Sequence, residues 1–198
     1  HLATSTGTDT YSSMAASLGS LKGPKHGGAN IKVMHMFENI KENVKNFSEK
    51  NVYDYVRKIL NKKAFDRTGL VYGIGHAVYS VSDPRAEVLK IYAGKLAAEK
   101  GREEEFNLYN TVAKAASELL CEQKNLSKPV TPNVDFYSGF VYSMLNLPDA
   151  LYTPLFAVAR IAGWSAHRME ELVCGGKIIR PAYECVIDRR DYVPISKR

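Results

Sequence analysis

Apolar positions recur with a helical period along most of the chain. Tyr11, Met14, Ala15 and Leu18 sit at i, i+3, i+4 and i+7, the spacing that puts side chains on one face of a helix. Thr8, Asp9 and Thr10 precede them, and each is able to cap that helix. Ala29, Val33, Phe37 and Ile40 form a second stripe. Val52, Val56, Ile59 and Leu60 form a third, with Ser48 placed as its cap. Asp83-Pro84 is a helix start, with Asp at the N-cap and Pro in the first helical position. Val88, Leu89, Tyr92, Ala93 and Leu96 follow it. Phe106, Tyr109, Ala113, Ala116 and Leu120 make a further stripe. Residues 137–145 and 155–172 also read as helical.

The interruptions carry as much information. GLVYGIGHAVYSVSDP is β-branched and aromatic and contains Gly73 and Gly75. It reads as a loop with a short strand or hairpin. NLSKPVTPNVD holds two prolines and reads as a connector. VCGGKIIRP reads as a turn followed by a short extended piece. No internal repeat or low-complexity tract is visible. The expected fold class is all-α, mostly helical with minor short β, and its unusual polar residues sit at helix entrances.

Composition narrows the function classes. The 198 residues are 45% hydrophobic and 24% charged, which suits a globular chain with a proper core. No apolar run has membrane-spanning length and no signal peptide is present. The opening HLATSTGTDT begins in mid-pattern, which suggests a piece of a longer protein. The net charge is +6, from 27 basic and 21 acidic residues. This favours anionic partners. The basic residues are interspersed with acidic ones, which argues against nucleic acid. Cys121, Cys174 and Cys185 lack CxxC spacing and fit a reducing cytoplasm better than a disulfide framework.

Three sites stand out. In GPKHGGAN, His26 lies in a turn at the entrance to the second helix. It is either a plain turn residue or a neutral donor to a developing oxyanion, with Gly27 and Gly28 letting backbone approach a ligand. In YGIGHAVYSVSDPR, His76 lies beside glycines, and Arg85 follows nine residues on. A guanidinium there can clamp a carboxylate or phosphate. In TPNVDFYSG, Asp135 is either an N-cap or a general base whose pKa burial raises. Arg160 stands in the apolar run LFAVARIAGW, where an unpaired cation is costly, so it should meet an anion or a carboxylate. Arg180, in KIIRP, has a surface role by default.

GPKHGGAN, GIGHAVYSVSDPR, PNVDFYSG, LFAVARIAGW and IIRP follow one another at fitting intervals. Together they resemble the citrate synthase family, which includes 2-methylcitrate synthase, and the resemblance runs to the YVPI tail. It implies an all-helical fold of a large domain and a smaller closing domain. Residues 27–136 would be the small domain, and residues 1–26 and 137–198 would belong to the large one. Asp135 would take a proton from the methyl group of acetyl-CoA. His26 would hydrogen-bond the thioester oxygen. His76 would polarise the ketone of oxaloacetate, while Arg85 and Arg160 hold carboxylates. Arg180 would be supplied across a homodimer interface. The loop of Val71, Tyr72, Gly73, Ile74 and Gly75 would wrap the adenine of CoA. No metal or cofactor is implied, because acetyl-CoA is a substrate, and no nucleic acid or membrane is expected as partner.

Two departures qualify the resemblance. Some relatives carry a basic residue after the GHAV segment, where this chain has Tyr79, Ser80 and Val81. Lys124 or Lys128 would then have to meet the CoA phosphates. The family's N-terminal part, with a further oxaloacetate-binding histidine, precedes this chain, and His1 is not that residue. A chain of this extent is expected to show no useful turnover alone. Phe136, Tyr137 and Met144 are candidates to shape the acyl pocket. The competing readings are 2-methylcitrate synthesis from propionyl-CoA, a metal site of His26, His76 and Asp135, and a non-catalytic helical interaction module.

Overall fold

The structure is a computed structural model. It describes every residue except Pro24, Lys25, Ser80, Ser127, Tyr183, Cys185 and Arg198. The expectations that fall on Ser80 and Cys185, and on Pro24 and Lys25 within GPKHGGAN, therefore lie outside the described residues. The helices are α1 (Thr10–Leu21), α2 (Ala29–Asn43), α3 (Glu49–Leu60), α4 (Pro84–Glu99), α5 (Glu103–Lys124), α6 (Val134–Met144) and α7 (Tyr152–Cys174). Short 3-10 turns occur at Thr4–Thr6, Asp149–Leu151 and Ile195–Lys197. The fold is all-α. Among the described residues the β content is a single antiparallel bridge between Ile74 and Pro132. None of the described helices is long and apolar enough to cross a membrane.

Several caps follow from side-chain chemistry. Asp9 accepts from the Ser12 amide at 3.0 Å and Asp83 from the Arg85 amide at 3.0 Å. Asn133 accepts from the Asp135 amide at 2.9 Å. Each satisfies a donor that a helix start leaves orphaned. Ser48 occupies the N-cap position of α3, but its side chain makes no capping bond.

One core joins α2 to α6. Val33, Met36, Phe37 and Ile40 of α2 meet Val52, Val56 and Ile59 of α3, and Leu108, Tyr109 and Val112 of α5. Phe37 stacks on Tyr109 with ring centroids 3.5 Å apart. Tyr109 in turn stacks on Phe140 at 4.7 Å. Phe136, Tyr137, Phe140 and Met144 lie in the same core. It thus continues past residue 136 to the end of α6. α1 packs separately on α7.

The α1 stripe and part of the α4 stripe face outward, while Leu89, Ala93 and Leu96 of α4 meet the core as their period implies. Tyr11 is 87% and Leu18 48% exposed. α1 instead turns polar groups toward α7, because Arg168 reaches under it. Its guanidinium donates to Thr10 Oγ1 at 3.0 Å, Ser13 Oγ at 3.0 Å and the Thr8 carbonyl at 3.2 Å. On α4, Val88 and Tyr92 are 56% and 61% exposed. The buried face is Ala86, Ala93 and Ala97, whose small side chains let α4 lie close against α5 and α6.

The described residues of 69–83 form a loop, as expected, and their β content is the Ile74–Pro132 bridge rather than a strand or hairpin of their own. The segment pairs with the proline connector before α6. The Gly75 amide donates to the Thr131 carbonyl at 2.8 Å, and the Asn133 amide donates to the Gly73 carbonyl at 2.8 Å. Gly73 and Gly75 have φ of 77° and 89°. Left-handed residues at that spacing break a regular strand but are accessible to glycine.

Candidate active site

Three helix entrances and one helix flank meet at a cleft of about 120 Å³. The turn before α2 brings His26, the loop before α4 brings His76, the first turn of α4 brings Arg85, and the start of α6 brings Asp135. α7 supplies Arg160. Five residues singled out from sequence, 134 positions apart at the extremes, therefore face one space. Asn133, Val134 and Phe156 complete its walls.

The turn that carries His26 is tied on both sides. The His26 amide donates to the Gly23 carbonyl at 2.9 Å, and the Gly27 amide to the Leu21 carbonyl at 2.9 Å. Thr153 Oγ1 of α7 donates to the Gly27 carbonyl at 2.8 Å. A Cβ on Gly27 would lie 2.3 Å from the Leu21 carbonyl oxygen and 2.8 Å from Thr153 Cγ2. Gly27 also lines the cleft, so its missing side chain both lets the turn pack on α1 and α7 and leaves backbone at the cleft wall. The ring of His26 is exposed at the cleft.

His76 has a defined tautomer when neutral. Its Nδ1 accepts from the amides of Val78 at 3.0 Å and Tyr79 at 3.3 Å. The proton must then sit on Nε2. Nε2 lies 3.4 Å from Nη2 of Arg85. Both of these atoms are donors, so their proximity is a convergence on a common acceptor oxygen rather than a bond between them.

Asp83 fixes Arg85. The Arg85 Nε donates to Asp83 Oδ1 at 2.9 Å and Nη2 to Oδ2 at 2.8 Å. The guanidinium also lies over the Tyr79 ring, 5.1 Å from its centroid. Asp83 Oδ2 accepts from the Val134 amide at 3.1 Å, so one buried carboxylate ties the starts of α4 and α6 together. The hydrogen bond from Arg85 holds the Asp83 carboxyl below the usual carboxylate range, against an opposing effect of burial.

Asp135 is not the cap of α6. Asn133 is, and Asp135 sits in the first turn. Among the described residues nothing donates a hydrogen bond to its carboxylate. Burial raises its pKa above the ordinary carboxylate value, although Arg160, Arg85 and His26 pull it back down. That is the environment of a base poised to accept a proton. Arg160 stacks over Phe156, 5.2 Å from the ring centroid. Its Nη1 is buried with no hydrogen-bond partner among the described residues. A buried guanidinium nitrogen without an acceptor is costly, and an anion in the cleft would supply one.

Other predicted residues lie elsewhere. Arg180 is exposed in the extended stretch after α7 and does not line the cleft. Val71 is buried in the core, and Tyr72 donates through its hydroxyl to Asp66 at 2.6 Å. Gly73, Ile74 and Gly75 pair with the 131–133 connector. Lys124 ends α5, and Lys128 is exposed beyond it; neither lines the cleft. Phe136, Tyr137 and Met144 point into the core, so the apolar walls of the cleft are Val134 and Phe156 instead. His26, His76 and Asp135 share the cleft with two guanidinium groups, which repel a cation. Among the described residues, the potential metal ligands that come within 4.8 Å of one another are His1, His167 and Glu170.

Asn133 was not foreseen. Besides capping α6, its Nδ2 donates to the Gly75 carbonyl at 2.8 Å, which locks the loop of His76 to the helix of Asp135. An Asn after Pro at a helix start is the signal that could have identified it.

Residues 1–182 match the family model of the citrate synthase C-terminal domain. The chain is 42% identical over 195 residues to a citrate synthase of Synechocystis, covering 98% of this chain and 45% of that protein. It is 35% identical over 195 residues to a 2-methylcitrate synthase of Shewanella oneidensis, covering 98% of this chain and 47% of that protein. Among solved structures, it superposes on the citrate synthase of Thermoplasma acidophilum in its ternary complex with carboxymethyl coenzyme A and oxaloacetate. The TM-score is 0.77 at 32% identity, covering all of this chain and 49% of that one. The citrate synthase of Thermotoga maritima gives a TM-score of 0.72 at 36% identity, again covering 49% of that chain. The chain thus spans about half the length of the relatives it matches.

Proposed function

Since the chain belongs to the citrate synthase family, we propose that it carries most of the condensing site of an enzyme that joins an acyl-CoA to oxaloacetate. One observation carries this reading. An unpaired, partly buried carboxylate shares a small cleft with two guanidinium groups and the Nε2–H of His76. Asp135 removes a proton from the carbon next to the thioester. The electron pair moves onto the thioester oxygen, where His26 donates a hydrogen bond. The resulting enol carbon bonds to the ketone carbon of oxaloacetate. The ketone oxygen gains the negative charge and meets His76 Nε2–H and Arg85. Preformed donors aimed at developing charge are worth most in a water-poor site. Arg160 and Arg85 hold the carboxylates. Water then cleaves the thioester and releases the CoA thiol.

The acyl donor is acetyl-CoA in this reading, with propionyl-CoA as the alternative, since relatives bear both names. One methylene is worth only about 1–3 kcal/mol of discrimination in an apolar pocket. The contact of residues 71–75 with CoA, the CoA phosphate contacts of Lys124 or Lys128, and the delivery of Arg180 across a homodimer belong to the same proposal. So does a closing unit that starts near residue 27. Its core runs through α6, which favours a hinge in residues 145–151. The chain alone is expected to be inactive. Tyr11 and Leu18 of α1, with Val158 and Ile161 of α7, expose apolar surface that a further part of the protein would cover.

The test is release of CoA thiol by the full-length protein, given oxaloacetate with acetyl-CoA or propionyl-CoA. Release that requires oxaloacetate and disappears in Asp135→Ala supports condensation, and the faster donor identifies the substrate. Absence of release from folded protein leaves the non-catalytic module as the reading.

A further inference from the structure

A second cluster lies about two turns further along α7 from Arg160, where the segment before α1 meets that helix. His1 Nε2 is 3.1 Å from His167 Nδ1 and 3.3 Å from Glu170 Oε2. His167 Nδ1 is 3.4 Å from Glu170 Oε2. The three atoms form a nearly equilateral triangle. Zinc with ligands at 2.0–2.1 Å in a tetrahedron separates those ligands by about 3.3–3.4 Å. The triangle therefore has the size of one face of a zinc coordination sphere.

The surroundings agree with that size. His1 Nδ1 is 2.8 Å from Glu171 Oε2, whose side chain is 13% exposed. A carboxylate there accepts a hydrogen bond from Nδ1–H, which leaves the lone pair on Nε2, the atom at the triangle. A carboxylate that orients a histidine in this way is the usual outer partner of a metal ligand. His167 and Glu170 are one helical turn apart and so project from the same face of α7. The neighbouring cation, Arg168, is turned the other way and bonded under α1.

We propose that His1, His167 and Glu170 form a zinc site, oriented by Glu171, with the fourth position open to water. The site ties the segment before α1 to α7 and takes no part in the condensation. It therefore stands or falls independently of the catalytic reading.

Tag-free protein, stripped with chelator, is titrated with Zn²⁺ by calorimetry and with Co²⁺ by visible absorption. One ion per chain is expected, with the intense visible bands of a tetrahedral cobalt centre. His167→Ala should abolish binding, and Glu171→Ala should weaken it about 10–100-fold. Zn²⁺ should also raise the melting temperature of the wild type and leave that of His167→Ala unmoved. Circular dichroism checks that the variants fold, which the exposure of His167 favours. Absence of binding, or stoichiometric binding that survives His167→Ala, would overturn the proposal and leave the cluster as a histidine–carboxylate hydrogen-bond network.

Discussion

Asp83 grips Arg85 through two hydrogen bonds, at 2.9 and 2.8 Å, while its oxygens also accept from the amides of Arg85 and Val134. A single buried carboxylate thus aims a cation of the cleft and joins two helix starts. Asp83→Ala should cost about 0.5–2 kcal/mol in stability, since it removes the N-cap of α4 and the acceptor of the Val134 amide. It should also raise KM for oxaloacetate more than it lowers kcat, because Arg85 loses its fixed direction. The depressed pKa of Asp83 contributes stability above the ordinary carboxylate pKa, lost as pH falls through the folded value. Urea unfolding from pH 7 to pH 3 should show the gap between wild type and variant narrowing toward acid.

Asp135→Asn separates catalysis from stability. Activity should fall by about 10²–10⁴-fold, the usual scale for losing a general base. The folded pKa of Asp135 is raised, so the folded state holds its proton more tightly than the unfolded state does. Its ionisation therefore removes stability as pH rises from the ordinary carboxylate value through the raised one. The asparagine variant escapes that loss and should melt higher than wild type at pH 7, with the difference vanishing at pH 3. A variant that melts lower at pH 7 would contradict the burial argument.

Arg160→Met probes the orphaned guanidinium nitrogen. Without ligand, the variant should match or exceed wild-type stability, because replacing a buried, unpartnered charge by an apolar side chain is often neutral or favourable. Oxaloacetate should raise the melting temperature of the wild type and fail to do so in the variant. An equal shift in both proteins would remove Arg160 from the binding site.

Gly27→Ala tests the packing of the His26 turn. The new methyl meets a backbone oxygen at 2.3 Å, so the turn must move. A destabilisation of about 1–3 kcal/mol is expected, with a loss of kcat because His26 shifts with the turn. Gly19→Ala, which has open space around it, is the matched control.

The legible parts of the molecule were those with local causes. The stripes of α2 and α3 are buried as their period implies, and Asp83-Pro84 starts α4 as its chemistry requires. His26, His76, Arg85, Asp135 and Arg160 were recognisable as polar residues in glycine turns or apolar runs, and they share one cleft. What failed depended on partners distant in sequence. The outward turn of Tyr11 and Leu18 follows from Arg168, which lies more than 140 residues away. The pairing of residues 73–75 with the connector is a long-range contact that no local period encodes. Asp135 reads equally well as a cap until Asn133 is seen to hold that position.

The bonds between the Gly73–Gly75 stretch and residues 131–133 have a consequence for how the molecule opens. Breaking them separates the loop of His76 from the connector before α6, leaving the Asp83–Val134 bond as a tie between that helix start and α4. The amides of Gly75 and Asn133 should therefore exchange with solvent as one cooperative unit, at equal protection. His76 and Asp135 would then take or lose their places in the cleft together.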